Sequence, residues 1–113
     1  FWVLILAVVA LVVFLTEVTS NAATTTMAMT IMAGAGLALG VPPMALMTAA
    51  ALAASMAFML PVATPPNAIV FSSGYLTIPQ MVRAGLLLNL VAIIVVTLVG
   101  LFLVPRILLP GLP

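Results

Sequence analysis

The chain has 113 residues, 67% of them hydrophobic and 3% charged, with a formal net charge of +1. So little polar surface cannot cover a water-soluble core; composition assigns an integral membrane protein and leaves no electrostatic footprint for nucleic acid. With no cysteine and no histidine there is no disulfide, thiolate metal site or imidazole base, so Ser20 has nothing to activate it and an enzyme is not expected.

The chain opens on Phe1, with no basic segment ahead of the apolar run, which predicts no signal peptide and a piece of a longer protein. Its length holds about four membrane segments of roughly 20 residues. Phe1 to Leu15 is almost uninterruptedly apolar, and Phe1 and Trp2 suit an interfacial aromatic belt. A polar island follows, Thr16-Glu17-Val18-Thr19-Ser20-Asn21, running on to Thr24-Thr25-Thr26. Thr16, Thr19 and Ser20 fall at i, i+3 and i+4 and share one face of the last helical turn. Ser20 or Asn21 then caps a second helix from Ala22 toward Leu39.

Two readings stay open here: a capped turn at the membrane surface between two full spans, or a re-entrant hairpin whose tip, Ser20-Asn21-Ala22, sits at mid-membrane. Each arm is about the length needed to span, so hydropathy does not separate them. Glu17 is the single acid, and an acid inside a membrane is costly enough to be a functional suspect. The competing pictures are a headgroup-level side chain, a pair with an arginine from a part of the protein not present here, or a hydrogen bond to Asn21 four residues on.

Gly34, Gly36 and Gly40 loosen the second arm before a turn at Val41-Pro42-Pro43. The next helix, from Met44, carries Ala45, Ala49, Ala53 and Ala57 four residues apart, either a stripe for close helix approach or simple alanine richness. The eight methionines fill irregular gaps in the packing. Then comes Ala57 to Phe71, AFMLPVATPPNAIVF, two apolar runs around an abrupt pause. Pro65 and Pro66 supply no N–H and disfavour helix in the residue before each, which predicts a helix end near Ala63. Thr64 caps a new segment with Pro65 in its first position, running toward Gly74. Irregular backbone at membrane depth is tolerated only where it is buried in protein or lines a wet cavity; the alternative is an ordinary proline kink.

Ser72 to Gln80 is a polar interval carrying Tyr75, and Ala84 to Val104 after Arg83 is the cleanest transmembrane helix, with Asn89 and Thr97 its hydrogen-bonding side chains. Arg106 and the closing Pro-Gly-Leu-Pro lie beyond the far interface, and one arginine on each side leaves the positive-inside rule undecided. The two polar islands stand about 40 residues apart, each at a helix break. If both lie at mid-membrane, helix N-termini at Ala22 and Pro65 point partial positive charge at one place, while carbonyls of Thr16, Thr19 and Ala63 are left for a small hard cation. Secondary transporters build such sites from discontinuous helices.

Ala57 to Phe71, with Thr16-Glu17-Val18-Thr19-Ser20-Asn21 and Arg83-Ala84-Gly85-Leu86, closely resembles the C-terminal part of the divalent anion:sodium symporters, carriers of dicarboxylates, citrate and sulfate, over essentially the whole chain. The resemblance favours the hairpin and the broken helix over the surface turn and the kink. It implies an all-α integral membrane fold, one half of an inverted-repeat transporter, within one partial transport domain. Residues 1–39 would form a re-entrant hairpin entered from outside, tip near 19–22. Residues 40–74 would form a discontinuous transmembrane helix broken near 62–67, and residues 75–113 a polar loop and a final transmembrane helix, with Arg83 on the cytoplasmic side.

It also implies sodium-coupled symport of small divalent anions, C4-dicarboxylates foremost, by an elevator-type movement. The full-length form would be a homodimer, multi-pass in the plasma (bacterial inner) membrane, with an N-terminal repeat and scaffold absent here. Carried over by residue, sodium would meet oxygens around Thr16, Thr19, Asn21, Ala63 and Pro65. Substrate carboxylate would meet Ser20, Asn21 and Ala22, with Pro65 lining the pocket and Thr64, Pro66 and Asn67 supporting the break. The family's tip reads Ser-Asn-Thr, and Ala22 here lacks the third residue's hydroxyl, which bears on substrate identity. Neighbouring readings are an arsenite, citrate-metal or proton-coupled carrier, and, outside transport, a non-transporting membrane fragment or assembly partner.

Overall fold

The computed structural model describes residues 2–103 and 106–107. Phe1 of the expected aromatic belt, Val104 at the expected end of the last helix and the closing Pro-Gly-Leu-Pro lie outside the described residues. The described residues are helical with no strand. Helix α1 (Trp2–Leu15) gives way to a turn through the polar island, and α2 (Asn21–Leu39) starts from Ser20, whose extended backbone and side-chain oxygen cap it by accepting from the Ala23 N–H at 3.4 Å. Gly40 closes α2 with φ at 68°, a left-handed conformation that glycine adopts without a Cβ penalty. The threonines of α2 are made compatible with an apolar exterior because Thr25, Thr26 and Thr30 return their hydroxyl protons to the carbonyls of Asn21, Ala22 and Thr26.

Helix α3 (Pro43–Ala53) begins on a proline and ends ten residues before the expected stop near Ala63. The irregular stretch therefore lies at 54–64, with only a 3-10 turn at Pro61–Ala63 inside it, before Thr64 caps α4 (Pro65–Ser72). Pro61 keeps the helix from resuming: it has no N–H, its ring clashes with a helical turn just before it, and Leu60 is extended, with φ of −114° and ψ of 145°. The prolines at 65 and 66 start the next helix rather than end the previous one. A chain that leaves the helix for this long is interrupted, not kinked.

Helix α5 (Ile78–Leu98) starts earlier than the hydropathy suggests and continues as a π-helical segment at Val99–Leu103. Its start is a capping box: Gln80 N–H donates to Thr77 Oγ1 at 3.3 Å, and Thr77 N–H to Gln80 Oε1 at 3.0 Å. Part of the expected polar interval is thus the first turn of the last helix, and Arg83 is an exposed residue within it.

The core forms around α3, which packs against α1, α2 and α5. Ala45, Ala49 and Ala53 are fully buried and Ala57 nearly so, so the four-residue alanine spacing does bring neighbouring backbones close. Ile5, Val9 and Val13 of α1 and Ile93 and Val96 of α5 close over that stripe. Gly85 of α5 lies against the irregular stretch; a Cβ there would overlap the Phe58 carbonyl oxygen and stand 2.5 Å from Met59 Cα. The outside is apolar too, with Leu11, Met27, Ile31, Leu37, Leu87 and Ile94 all more than half exposed. Two helices, Asn21–Leu39 and Ile78–Leu103, are long and apolar enough to cross a membrane.

Substituting Gly85→Ala is expected to force α5 off the interrupted stretch at a cost of about 1–3 kcal/mol. Gly34→Ala, where an added Cβ meets nothing within 4 Å, is expected to be neutral or stabilising by up to about 1 kcal/mol. Thermal unfolding midpoints of the two variants in the detergent-solubilised full-length protein check this, and equal midpoints would contradict the packing argument.

Candidate functional site

The turn after α1 and the irregular stretch before α4 meet at one open cleft of about 490 Å³. From the first come Ser20, Asn21 and Ala22; from the second Pro61, Val62, Ala63, Thr64 and Pro65, with Ala68 from the first turns of α4. Of the residues singled out by sequence, Ser20, Asn21, Ala22, Ala63, Thr64 and Pro65 line this cleft. Thr16, Thr19, Pro66 and Asn67 are outside its lining. Pro61, Val62 and Ala68 were not anticipated; the signal available for Pro61 was its proline chemistry four residues ahead of the better-noticed pair.

The starts of α2 and α4 both border the cleft, yet they offer different chemistry. At α2 the N–H groups of Asn21 and Ala22 have no acceptor among the described residues, as the first helical turn requires. At α4, Pro65 and Pro66 have no N–H, and the Asn67 N–H is taken by Thr64 Oγ1 at 3.2 Å. An anion in the cleft finds backbone donors at α2 only, whereas α4 contributes the field of its dipole. Acceptors are present as well: the carbonyls of Thr16, Thr19 and Ala63 accept no hydrogen bond among the described residues. No group of three or more His, Cys, Asp or Glu that could hold a metal ion occurs among the described residues, so a cation would meet neutral oxygens.

Thr16 is fully buried. Its hydroxyl lies 2.6 Å from Asn21 Oδ1 and 2.9 Å from the Ala54 carbonyl oxygen, but it carries a single proton. A carbonyl can only accept, so the proton goes to Ala54, and the contact with Asn21 is satisfied when the amide is turned to donate through Nδ2. Thr16 thereby orients the Asn21 amide. Thr19 donates to the Leu15 carbonyl at 2.9 Å and contacts the Thr24 hydroxyl, tightening the turn. Asn67 Nδ2 donates to the carbonyls of Ala57 at 2.9 Å and Leu60 at 3.0 Å, holding the irregular stretch from the α4 side.

Glu17 is 4% exposed and sits behind the cleft. Its Oε1 accepts from the N–H groups of Phe58 at 2.9 Å and Met59 at 3.0 Å and from Asn89 Nδ2 at 2.7 Å; its Oε2 accepts from the Leu60 N–H at 3.1 Å. The Phe58 N–H also reaches Asn89 Oδ1 at 3.2 Å. None of these bonds goes to Asn21, or to an arginine among the described residues, and the headgroup and tip pictures for Glu17 give way to a buried clamp on backbone amides. Sequence marked Glu17 as costly but could not name its partners, which lie 41 to 72 residues away.

Residues 1–108 match the family model described as the sodium:sulfate symporter transmembrane region. The chain is 50% identical over 106 residues to a sodium-dependent dicarboxylate transporter of Staphylococcus saprophyticus, covering 94% of this chain and 20% of that protein. A protein of the same description from Staphylococcus aureus is 50% identical over 93 residues, covering 82% of this chain and 18% of the relative. The chain thus spans about one fifth of the length of the curated relatives it matches. Both relatives are transporters, not enzymes.

Thr16→Val would leave the buried Ala54 carbonyl without its hydroxyl donor and the Asn21 amide without its anchor, at an expected cost of about 1–3 kcal/mol. Thr16→Ser keeps the hydroxyl and is expected to lose only about 0.8 kcal/mol for the missing methyl. Unfolding midpoints of the full-length protein in detergent compare the two, and a valine variant as stable as the serine variant would remove the orienting role.

Proposed function

The chain belongs to the sodium:sulfate symporter family, and from that premise we propose that it supplies one face of the binding site of a sodium-coupled carrier of small dicarboxylates. The observation that carries the proposal is the meeting of two helix starts and Ala63, whose carbonyl is unpaired, at a single cleft, with the unpaired carbonyls of Thr16 and Thr19 in the turn that leads into it. A substrate carboxylate would take the Asn21 and Ala22 N–H groups and the Ser20 hydroxyl, with Pro65 as an apolar wall. Sodium would take the Asn21 side-chain oxygen and the carbonyls around Thr16, Thr19, Ala63 and Pro65, a donor set of neutral oxygens suited to a hard monovalent ion. Bringing cation and anion side by side lets each reduce the electrostatic cost of burying the other, which is the physical basis of coupling. Thr64, Pro66 and Asn67 keep the break open.

In this reading residues 1–39 form a re-entrant hairpin with its tip near 19–22, residues 40–74 a broken helix, and residues 75–113 a loop and a final membrane helix. Together they make the second half of an inverted repeat that moves as an elevator in a homodimer in the plasma (bacterial inner) membrane. The relatives' greater length leaves room for the repeat and scaffold that would complete the cleft. Ala22, which brings no hydroxyl, narrows the polar contacts available to one end of the anion.

Proteoliposomes containing the full-length protein are expected to take up radiolabelled succinate only with sodium present, and Asn21→Ala to reduce uptake by about tenfold or more, the loss of a hydrogen-bonding group to a charged ligand. Uptake that ignores sodium and the substitution would overturn the proposal and direct attention to a proton-coupled carrier.

A further inference from the structure

We infer that Glu17 is a positioning residue that sets the sodium affinity of the cleft without touching the ion. The inference rests on the reading of the cleft as a sodium site. Leaving a helix at Ala53 strips partners from the amides that follow, and the three N–H groups of Phe58, Met59 and Leu60 would be orphaned in apolar surroundings. One carboxylate takes all three, and its fourth bond, from Asn89 Nδ2, anchors it to α5. The held segment leads directly into Pro61–Ala63, whose residues line the cleft, and the Leu60 carbonyl accepts from the Ala63 N–H at 3.2 Å. On its other side Glu17 adjoins Thr16, the residue that orients Asn21. Glu17 therefore fixes the distance between the two halves of the cation site, Asn21 on the hairpin turn and Ala63 on the break.

The chemistry demands a carboxylate. A glutamine has one acceptor oxygen and an NH2 group; with the oxygen kept on Phe58, Met59 and Asn89, its amide nitrogen would face the Leu60 N–H, donor against donor. Glu17→Gln has nearly the same shape but releases the segment at Leu60. Asn89→Ala keeps the carboxylate and removes its tether to α5, so it tests the same coupling should Glu17→Gln fail to fold.

The experiment is sodium titration of succinate uptake by the full-length protein in proteoliposomes, beside hydrogen exchange of the peptide covering 56–63 in the same preparations. Glu17→Gln is expected to raise the sodium concentration for half-maximal uptake on the order of tenfold, to keep the maximal rate at saturating sodium, and to speed exchange at 58–60. Asn89→Ala is expected to shift the titration in the same direction by a smaller factor, and the double variant to shift it by less than the product of the two, since both act through one network. A sodium-dependent wild type whose variants lose only maximal rate, with unchanged half-maximal sodium, would overturn the inference while leaving the proposed function standing. A wild type indifferent to sodium would instead defeat the proposed function, and this inference with it.

Discussion

Interrupted backbone in apolar surroundings must find partners for every amide it exposes, and that constraint governs this chain. Between Ala53 and Pro65 the chain is almost free of helix, and water is replaced there by three side chains from three different elements. Glu17 from the turn after α1 takes the N–H groups, Asn67 from α4 takes the carbonyls, and Asn89 from α5 holds Glu17. No buried side-chain nitrogen or oxygen among the described residues lacks a partner.

The same network ties the turn after α1, the irregular stretch and α5 together. Sliding the turn past the break would strip a buried carboxylate of its amide donors, and an unsatisfied buried charge is among the costliest features a protein can hold. Packing reinforces this. The alanine stripe of α3 admits α1 and α5 at short range, and Gly85 lets α5 come against Phe58 closely enough for Asn89 to reach Glu17. Small residues here serve polar geometry as much as apolar contact.

The cleft that results is asymmetric. Two helix starts border it, but the paired prolines of α4 remove donors where α2 retains them. Dipole fields favour an anion near both starts, whereas directed hydrogen bonds are available near Asn21 and Ala22 alone. Carbonyl oxygens and backbone amides thus stand within a few residues of one another, the free amides on the α2 side alone.

Much of this was legible in the sequence. Composition determined the membrane class, Ser20 and Thr64 marked helix starts that the structure places at Asn21 and Pro65, and the four-residue alanine spacing marked a buried face. These are local signals, set by side-chain type and helical period within a few positions. Three features lay beyond them. Helix α3 ends at Ala53 although the alanines from 50 to 57 favour helix, and the amides of 58–60 beyond it are taken by the distant Glu17. The start of α5 at Ile78 was written in the Thr77–Gln80 box but hidden beneath the polarity of its surroundings. The partners of Glu17, and the Ala54 carbonyl that Thr16 meets, are 38 to 72 residues away, and only packing decides which remote amide or carbonyl a buried polar atom meets. Sequence determined which groups are costly to bury; the tertiary structure decided what compensates them, because compensation depends on distances that no local pattern encodes.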